Sequence, residues 1–265
     1  MDDKLHFTFL GTGTSIGVPV VSCECDVCIS KNPKDKRLRT SALLNFKGKN
    51  VCIDCGPDFR MQMLNAEVKD LEAILLTHEH RDHIAGLDDV RAFNYILGHP
   101  IGLFLGDNVL KNVRTEFPYI FNPGSYQGGP KLELHSLTTE PFEVAKMNIL
   151  PLPVLHADLD VFGFRIGDLS YITDANFIPD ETFEKIKGSK ILVLNALRLR
   201  RHHSHFSLSD ALDIIKRVNP ERAYLTHLGH YIGKHDEVSN ELPENVELAY
   251  DGLQISIDYT NNQTT

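Results

Sequence analysis

The chain has no polybasic tract, no apolar run of membrane-spanning length, and neither an internal repeat nor a low-complexity linker. Each absence excludes something. Over 265 residues the formal net charge is −9, which weighs against a nonspecific sheath on nucleic acid and leaves a local basic patch as the only route to one. Without about 20 consecutive apolar residues no helix can span a bilayer, so no membrane partner is expected. The opening MDDKLHFTFL carries acids in place of a basic n-region and has no long apolar h-region, so the expectation is a soluble, cytoplasmic protein. Cysteines number only five, an odd count, and three crowd into CECDVC. In a reducing compartment that favours a metal or redox role over a disulfide framework. The hydrophobic fraction of 42% and charged fraction of 24% are those of an ordinary globular enzyme. A chain of this length buries enough apolar surface to fold without disulfides. No composition shift marks a boundary, so residues 1–265 are expected to form a single domain.

Short strand patterns dominate the first and middle parts, and helical patterns are interspersed. LHFTFLG reads as a strand entering a Gly-rich loop, SALLNF and NVCIDCG as a hairpin joined by KGKN, and EAILLTH as a short apolar strand. GLDDVRAFNYIL has helical spacing, and a helix is expected from Asp107 to Glu116. KLELHSL, FEVAKMNILPLPV, DVFGFRI, LSYIT, KILVLNA, RAYLTH and LQISID read as strands. PDETFEKIK should be helical with Pro179 near its first turn, and SLSDALDIIKRVNP should be an amphipathic helix that starts at a serine cap and stops at proline. The terminal TNNQTT is a polar tail. The pattern fits a layered α/β or α+β sandwich with helices outside two sheets.

Three histidines and two acids fall in the last six positions of LTHEHRDH, residues 76–83. Such a run makes a poor core, because each polar side chain would need a partner when buried. On a loop after a strand, His78 and His80 can fall on one side, with Asp82 and His83 turning in from the following helix start. A catalytic zinc with an open position uses three protein ligands, so four donors invite a second metal. Three more candidates each follow an apolar strand: His156 after ILPLPVL, Asp174 after LSYIT and His227 after RAYLT. A carboxylate suits a bridging role because its two oxygens can each reach one ion, and Asp174 is the candidate bridge. Asp54, in CIDCG, is read as fixing the loop or orienting a ligand histidine, the alternative being a strand-end cap.

CECDVC is C-x-C-x2-C. Cys23, Cys25 and Cys28 need one more ligand to close a tetrahedral structural zinc, and His230, three residues after His227, is the candidate. Free thiols or a redox site stay open as the other reading. Cys52 is taken as a small buried apolar residue; Cys55 has no assigned role. In GTGTSIG the glycines Gly11, Gly13 and Gly17 follow a strand, but the spacing is GxGxxxG and a cysteine loop follows in place of a helix, so a dinucleotide fold is not expected. The glycines are read as letting the backbone turn close to the site; Thr12 and Thr14 have no assigned role.

HxHxDH at a strand end, followed by His, Asp and His in that order, resembles the metallo-β-lactamase superfamily from GTGTS to AYDGLQI. That resemblance implies a four-layer αββα sandwich of the α+β class and a single hydrolase domain. It also implies that His78, His80 and His156 hold one divalent metal, that Asp82, His83 and His227 hold another, and that Asp174 is shared. With the C-x-C-x2-C…His set, the chain is similar to the phosphoribosyl cyclic phosphodiesterase branch known from the carbon–phosphorus lyase pathway. The pyrroloquinoline-quinone biosynthesis branch has a comparable cysteine motif but typically lacks the full HxHxDH set. The transfer-RNA 3′-processing endonucleases usually carry a basic RNA-binding arm, and no such insertion is present here.

The implied activity is that of a phosphoric diester hydrolase. Two zinc or manganese ions would activate a water to attack phosphorus in a small cyclic phosphodiester, of the ribose cyclic phosphate or cyclic nucleotide type. One structural zinc and a homodimer are further implications of the resemblance. Asp174 and His205 are the expected catalytic residues, with His205 of RRHHSHFSL as general acid and His203 as the alternative. His202 and His203 are otherwise a polar surface loop. Arg198, Arg200 and Arg201 form the one local basic patch, to hold a substrate phosphate or to remain solvated. The other readings are an RNA-processing phosphodiesterase, a thioester or lactone hydrolase, and a metal-bound carrier without catalysis.

Overall fold

In a computed structural model, which describes residues 3–122 and 127–259, the chain forms two seven-stranded sheets. The tail TNNQTT lies outside the described residues. The first sheet collects β1 (Lys4–Gly11), β2 (Ser41–Phe46), β3 (Lys49–Ile53), β4 (Ala73–Leu75), β5 (Ile101–Leu105) and β6 (Leu132–Ser136). The second collects β7 (Phe142–Val144), β8 (Met147–His156), β9 (Leu159–Ile166), β10 (Leu169–Ile172), β11 (Ile191–Asn195), β12 (Arg222–Thr226) and β13 (Val246–Leu248). The last strand, β14 (Gln254–Asp258), returns to the first sheet and pairs antiparallel with β1. Each sheet is antiparallel over its earlier strands and becomes parallel over its later ones, from β3 to β6 and from β10 to β13. The carboxyl ends of the parallel strands in each sheet therefore point the same way.

Period-two alternation sorts the strand residues between two faces. Leu5, Phe7 and Phe9 of β1, Leu44 of β2 and Val193 of β11 join Tyr171 and Tyr224 in the core between the sheets. Their neighbours point outward. Leu43, Cys52, Ile74 and Leu103 pack against α1 (Phe59–Asn65), the one-turn α2 (Arg81–Ile84), α3 (Arg91–Leu97) and α4 (Asp107–Glu116), to which the short α5 (Pro118–Phe121) adds partly buried Tyr119, Ile120 and Phe121. Leu192, Leu194 and Leu225 pack against α6 (Asp180–Ile186), α7 (Leu208–Val218) and α8 (His235–Ser239). The result is the expected α+β sandwich in four layers, αββα.

One local reading needs correction. FEVAKMNILPLPV is two strands: Ala145 and Lys146 both have positive φ, 51° and 64°, and reverse the chain between β7 and β8. Neither residue carries the Gly or Asn signal that such a turn usually shows. Pro179, expected near the first turn of its helix, is the N-cap of α6 at ψ 152°. Elsewhere the local chemistry is legible. Helix α7 starts at a capping box in which the Ser207 side chain accepts from the Asp210 N–H while the Asp210 carboxylate accepts from the Ser207 N–H, and it ends at a left-handed Asn219 before Pro220.

Candidate metal centre

The six histidines and three aspartates of interest come from strand ends of both sheets and from the segments that follow them, His205 from the loop between β11 and α7. Strand β4 runs into Thr77 and His78, and α2 begins one residue after His80, so its first turn presents Asp82 and His83. β8 ends on His156, while Asp174 and His227 follow β10 and β12. Asp54, Asp174 and His227 all adopt positive φ, at 64°, 51° and 54°, and so does Ala157 directly after His156, at 53°. Non-glycine residues avoid that region. Here it bends the chain sharply where each strand stops, at the positions that deliver side chains to a common point.

The donors converge. Ligand atoms of His78, His80 and His156 lie within 4.8 Å of one another, and so do those of His78, His83 and Asp174, and those of His156, Asp174 and His205. Asp82 Oδ2 and Asp174 Oδ2 each lie 3.2 Å from His83 Nε2. His227 Nδ1 lies 3.1 Å from Asp174 Oδ2. All the expected active-site ligands are thus gathered at one place, with His80 and Asp82 toward the opening and His78, His83, His156, Asp174 and His227 buried.

The surrounding hydrogen bonds fix which ring nitrogens face inward. The Asp54 carboxylate is fully buried and accepts from His83 Nδ1 at 2.7 Å, from the Thr77 N–H at 2.8 Å and from the Thr77 hydroxyl at 2.9 and 3.0 Å. Thr77 Oγ1 also lies 2.9 Å from His78 Nδ1. His156 Nδ1 donates to the Ser204 carbonyl at 2.6 Å. Each of these three rings is therefore held through Nδ1, with Nε2 turned toward the cluster, where His78 Nε2 lies 3.0 Å from His80 Nδ1. His83 Nε2 is buried without a hydrogen-bond partner, an orphan that a cation would satisfy. A set of imidazole nitrogens and carboxylates, with His78, His83 and His156 each oriented by a second hydrogen bond, fits a divalent metal.

Electrostatics within the cluster point the same way. Burial disfavours charge on His83, but Asp54, Asp174 and Asp82 around it hold its pKa well above the usual value. Burial also works against the Asp174 carboxylate, yet His227 and His83 keep it well below the ordinary carboxylate range. His78 and His156 are pushed down by burial. His205 is pushed down to about 2 by burial and by His227. Its Nδ1 lies 3.6 Å from Asp174 Oδ1 and its ring stacks on His227 at 4.8 Å between centroids. His203 is exposed at the rim, facing a recess shared with His80 and His156.

The cysteine loop closes onto the same end of the molecule. The Sγ atoms of Cys23, Cys25 and Cys28 each lie 3.4 Å from His230 Nδ1. A tetrahedral zinc with Zn–S of about 2.3 Å and Zn–N of about 2.0 Å sets S···N separations of about 3.5 Å, so these four donors fit one. The Cys28 N–H pulls Cys25 down to about 6, while burial lifts Cys28 to about 11. Gly13 pairs with Arg39 on one side and with Leu228, next to His227, on the other. A Cβ at Gly11 would come within 2.0 Å of the Arg39 carbonyl, so here glycine does permit the close approach. Of the basic patch, Arg198 is folded back on the carbonyls of Arg200 and Arg201.

Several supporting residues were not legible in the sequence. Thr12 hydrogen-bonds Asp251 and accepts from buried Arg37, and Thr40 Oγ1 lies 3.2 Å from His227 Nδ1 while donating to the Gly13 carbonyl. Asn195 holds Ala175, just after Asp174, by both its N–H and its carbonyl. These acidic, amide and hydroxyl groups stand alone in the sequence. Only Thr77 and Asn195 carry a signal, as a polar residue where an apolar strand stops.

Comparison with known proteins agrees with this geometry. Residues 49–228 match the family described as a beta-lactamase superfamily domain. A crystal structure of a diphosphatase from the PhnP family superposes with a TM-score of 0.90 at 37% identity, covering 96% of this chain and 97% of that one. An octanoyltransferase of Porphyromonas gingivalis is 40% identical over 252 residues, or 94% of this chain and 51% of that protein, so the chain spans about half the length of that relative. A ribonuclease Z of Clostridium novyi is 42% identical over 60 residues, 22% of this chain and 19% of that protein.

Proposed function

The chain belongs to the beta-lactamase superfamily of metal-dependent hydrolases, and from that premise we propose that it is a dinuclear phosphodiesterase acting on small cyclic phosphodiesters. The observation that carries this reading is the convergence of His78, His80, His83, His156 and Asp174 on one point, each ring nitrogen or carboxylate oxygen within 4.8 Å of its group. The similarity to a diphosphatase of the PhnP family supports a phosphoryl substrate.

His78, His80 and His156 would hold one zinc or manganese ion, Asp82, His83 and His227 the other, with Asp174 shared. When bound, two divalent cations lower the pKa of a water and stabilise charge on phosphoryl oxygens. The protein supplies the rest. Asp54 and Thr77 keep His83 and His78 turned inward, and the Ser204 carbonyl does the same for His156. His205, beside Asp174 and mostly buried, would give a proton to the departing sugar oxygen. Burial works against its charged form, while an anionic phosphodiester seated beside it favours that form. Cys23, Cys25, Cys28 and His230 would hold a structural zinc that clamps the N-terminal loop to the segment carrying His227.

A second reading, thioester or lactone hydrolysis, has one observation in its favour: the relative matched over 94% of the chain is named an octanoyltransferase. The same cluster could polarise an acyl carbonyl. The matched segment of ribonuclease Z leaves an RNA-processing role as a third, with a much shorter match behind it. One metal-reconstituted sample, given a ribose cyclic phosphate, an unstrained linear phosphodiester and a lactone, separates these. Fast opening of the cyclic phosphate, abolished in Asp174→Ala with the fold intact, is expected. Turnover of the lactone alone would refute the phosphodiesterase reading.

A further inference from the structure

Beside His205 a recess of about 390 Å³ opens between the segment after Asp174, the arginine loop and helices α6 and α7. Phe177 stands at this recess with 53% of its surface exposed. Its exposure is fixed by the backbone. Phe177 forms an isolated β-bridge with Leu155, the residue before His156. Its neighbour Asn176 accepts from the Ala157 N–H and donates to the His203 carbonyl. A large aromatic side chain, half of it exposed, thus stands on a backbone tied to the strand end that carries His156. Deeper in, the Arg217 guanidinium lies 4.0 Å over the Phe183 ring, adding a second flat surface.

Charge decides what the recess suits. Its two arginines, Arg201 and Arg217, are offset by Asp210 and Asp213 on the same walls. Arg201 Nε already lies 3.5 Å from Asp210 Oδ1. Two cations offset by two carboxylates make a poor clamp for a second phosphate. A neutral recess with aromatic faces and both donors and acceptors matches a nucleobase, which stacks on its face and hydrogen-bonds at its edges.

We infer that this recess receives a nucleobase, so that the phosphodiester hydrolysed at the adjacent cluster belongs to a nucleotide and not to a bare sugar phosphate. The inference rests on the phosphodiesterase reading for where the phosphate sits. Phe177 is a specificity-determining residue, through stacking.

Calorimetry on the metal-loaded protein tests it with AMP and ribose 5-phosphate, which share the phosphate and ribose and differ in the base. AMP is expected to bind about tenfold tighter, within what one base–aromatic stack contributes. Phe177→Ala should bring AMP to the level of ribose 5-phosphate, and Phe177→Tyr should restore the preference. Equal binding of the two ligands by the unmodified protein overturns the inference, as does an AMP preference that survives Phe177→Ala. Turnover of adenosine 2′,3′-cyclic phosphate and of a ribose cyclic phosphate is followed in parallel. Hydrolysis of the ribose compound with no base preference overturns the recess and leaves the phosphodiesterase. A Phe177-dependent AMP preference with no turnover of either supports the recess and overturns the phosphodiesterase.

Discussion

Replacing Asp54 by asparagine should disable one metal position without unfolding the protein. The carboxylate touches neither solvent nor the open site; it accepts from Thr77 N–H at 2.8 Å and from His83 Nδ1 at 2.7 Å. A carboxylate only accepts, so Nδ1 must carry the proton and Nε2 is left bare for a cation. Asparagine has one accepting oxygen, and the Thr77 N–H, which can only donate, claims it. Its NH₂ then faces His83 Nδ1 and favours the opposite tautomer, with the proton on Nε2, where a ligand lone pair is needed. Loss of such an orienting partner lowers metal affinity by about 10- to 100-fold, or about 1.4–2.7 kcal/mol. The metal-free protein should be destabilised as well, because Asp54 is one of three carboxylates that favour charge on the buried His83, but Asp82 and Asp174 remain 3.2 Å from that ring and removing the Asp54 charge relieves its own desolvation. Asparagine also tolerates the φ of 64° at this position. The assay is competition with a chromogenic chelator during stepwise zinc or manganese loading, with imidazole ¹⁵N spectra reporting the His83 tautomer. Unchanged affinity for both ions, with Nδ1 still protonated, would refute the reasoning.

Other perturbations separate the parts of the site. His205→Asn should lower kcat by about 10²- to 10⁴-fold, the usual contribution of a general acid, with metal content unchanged by elemental analysis; a loss of metal would make His205 a ligand instead. Cys25→Ser should remove one zinc equivalent per chain and lower Tm while the HxHxDH metals remain, and an unchanged metal count would return the cysteines to free thiols. Asp251 is buried and its pKa is raised to about 6 from 3.8. Because the folded value is above the unfolded one, its protonated form contributes stability that is full below about pH 4 and is lost as pH rises through about 6. Relative to the Asp251→Asn variant, wild type should therefore lose about 2 kcal/mol between pH 4 and 7 in urea titrations; parallel curves would contradict this.

How far the site could be read in advance depended on where a residue's information lies. HxHxDH and C-x-C-x2-C are local: a few bonds fix the spacing of their donors, so residue type and interval alone point to metal. His156, Asp174 and His227 are scattered, but each stops an apolar strand, and parallel strands in a sandwich bring their carboxyl ends together. The layered fold followed from the same strand and helix patterns. Thr40, Asn195, Ser204 and Asp251 act through pairings made across 187, 20, 48 and 239 positions of the chain, and no local pattern encodes a partner that far away. Nor does the sequence show the backbone of Asp54, Asp174 and His227, since all three positive-φ positions carry residues that elsewhere would favour negative φ.

Those three positions join structure to chemistry. A left-handed residue costs roughly 1 kcal/mol or more for a side chain larger than glycine, and glycine would remove that cost wherever the side chain is dispensable. At Gly17, Gly48, Gly98 and Gly188 the chain does use glycine at positive φ. At Asp54, Asp174 and His227 it keeps the strained residue, and each one's polar atoms are within 3.2 Å of another member of the cluster. Other non-glycine residues, Ala145 and Lys146 among them, also adopt positive φ at turns, but at these three the strained residue is one whose carboxylate or imidazole belongs to the cluster. The cluster is therefore an arrangement the fold maintains at a cost, which the binding of two cations would offset.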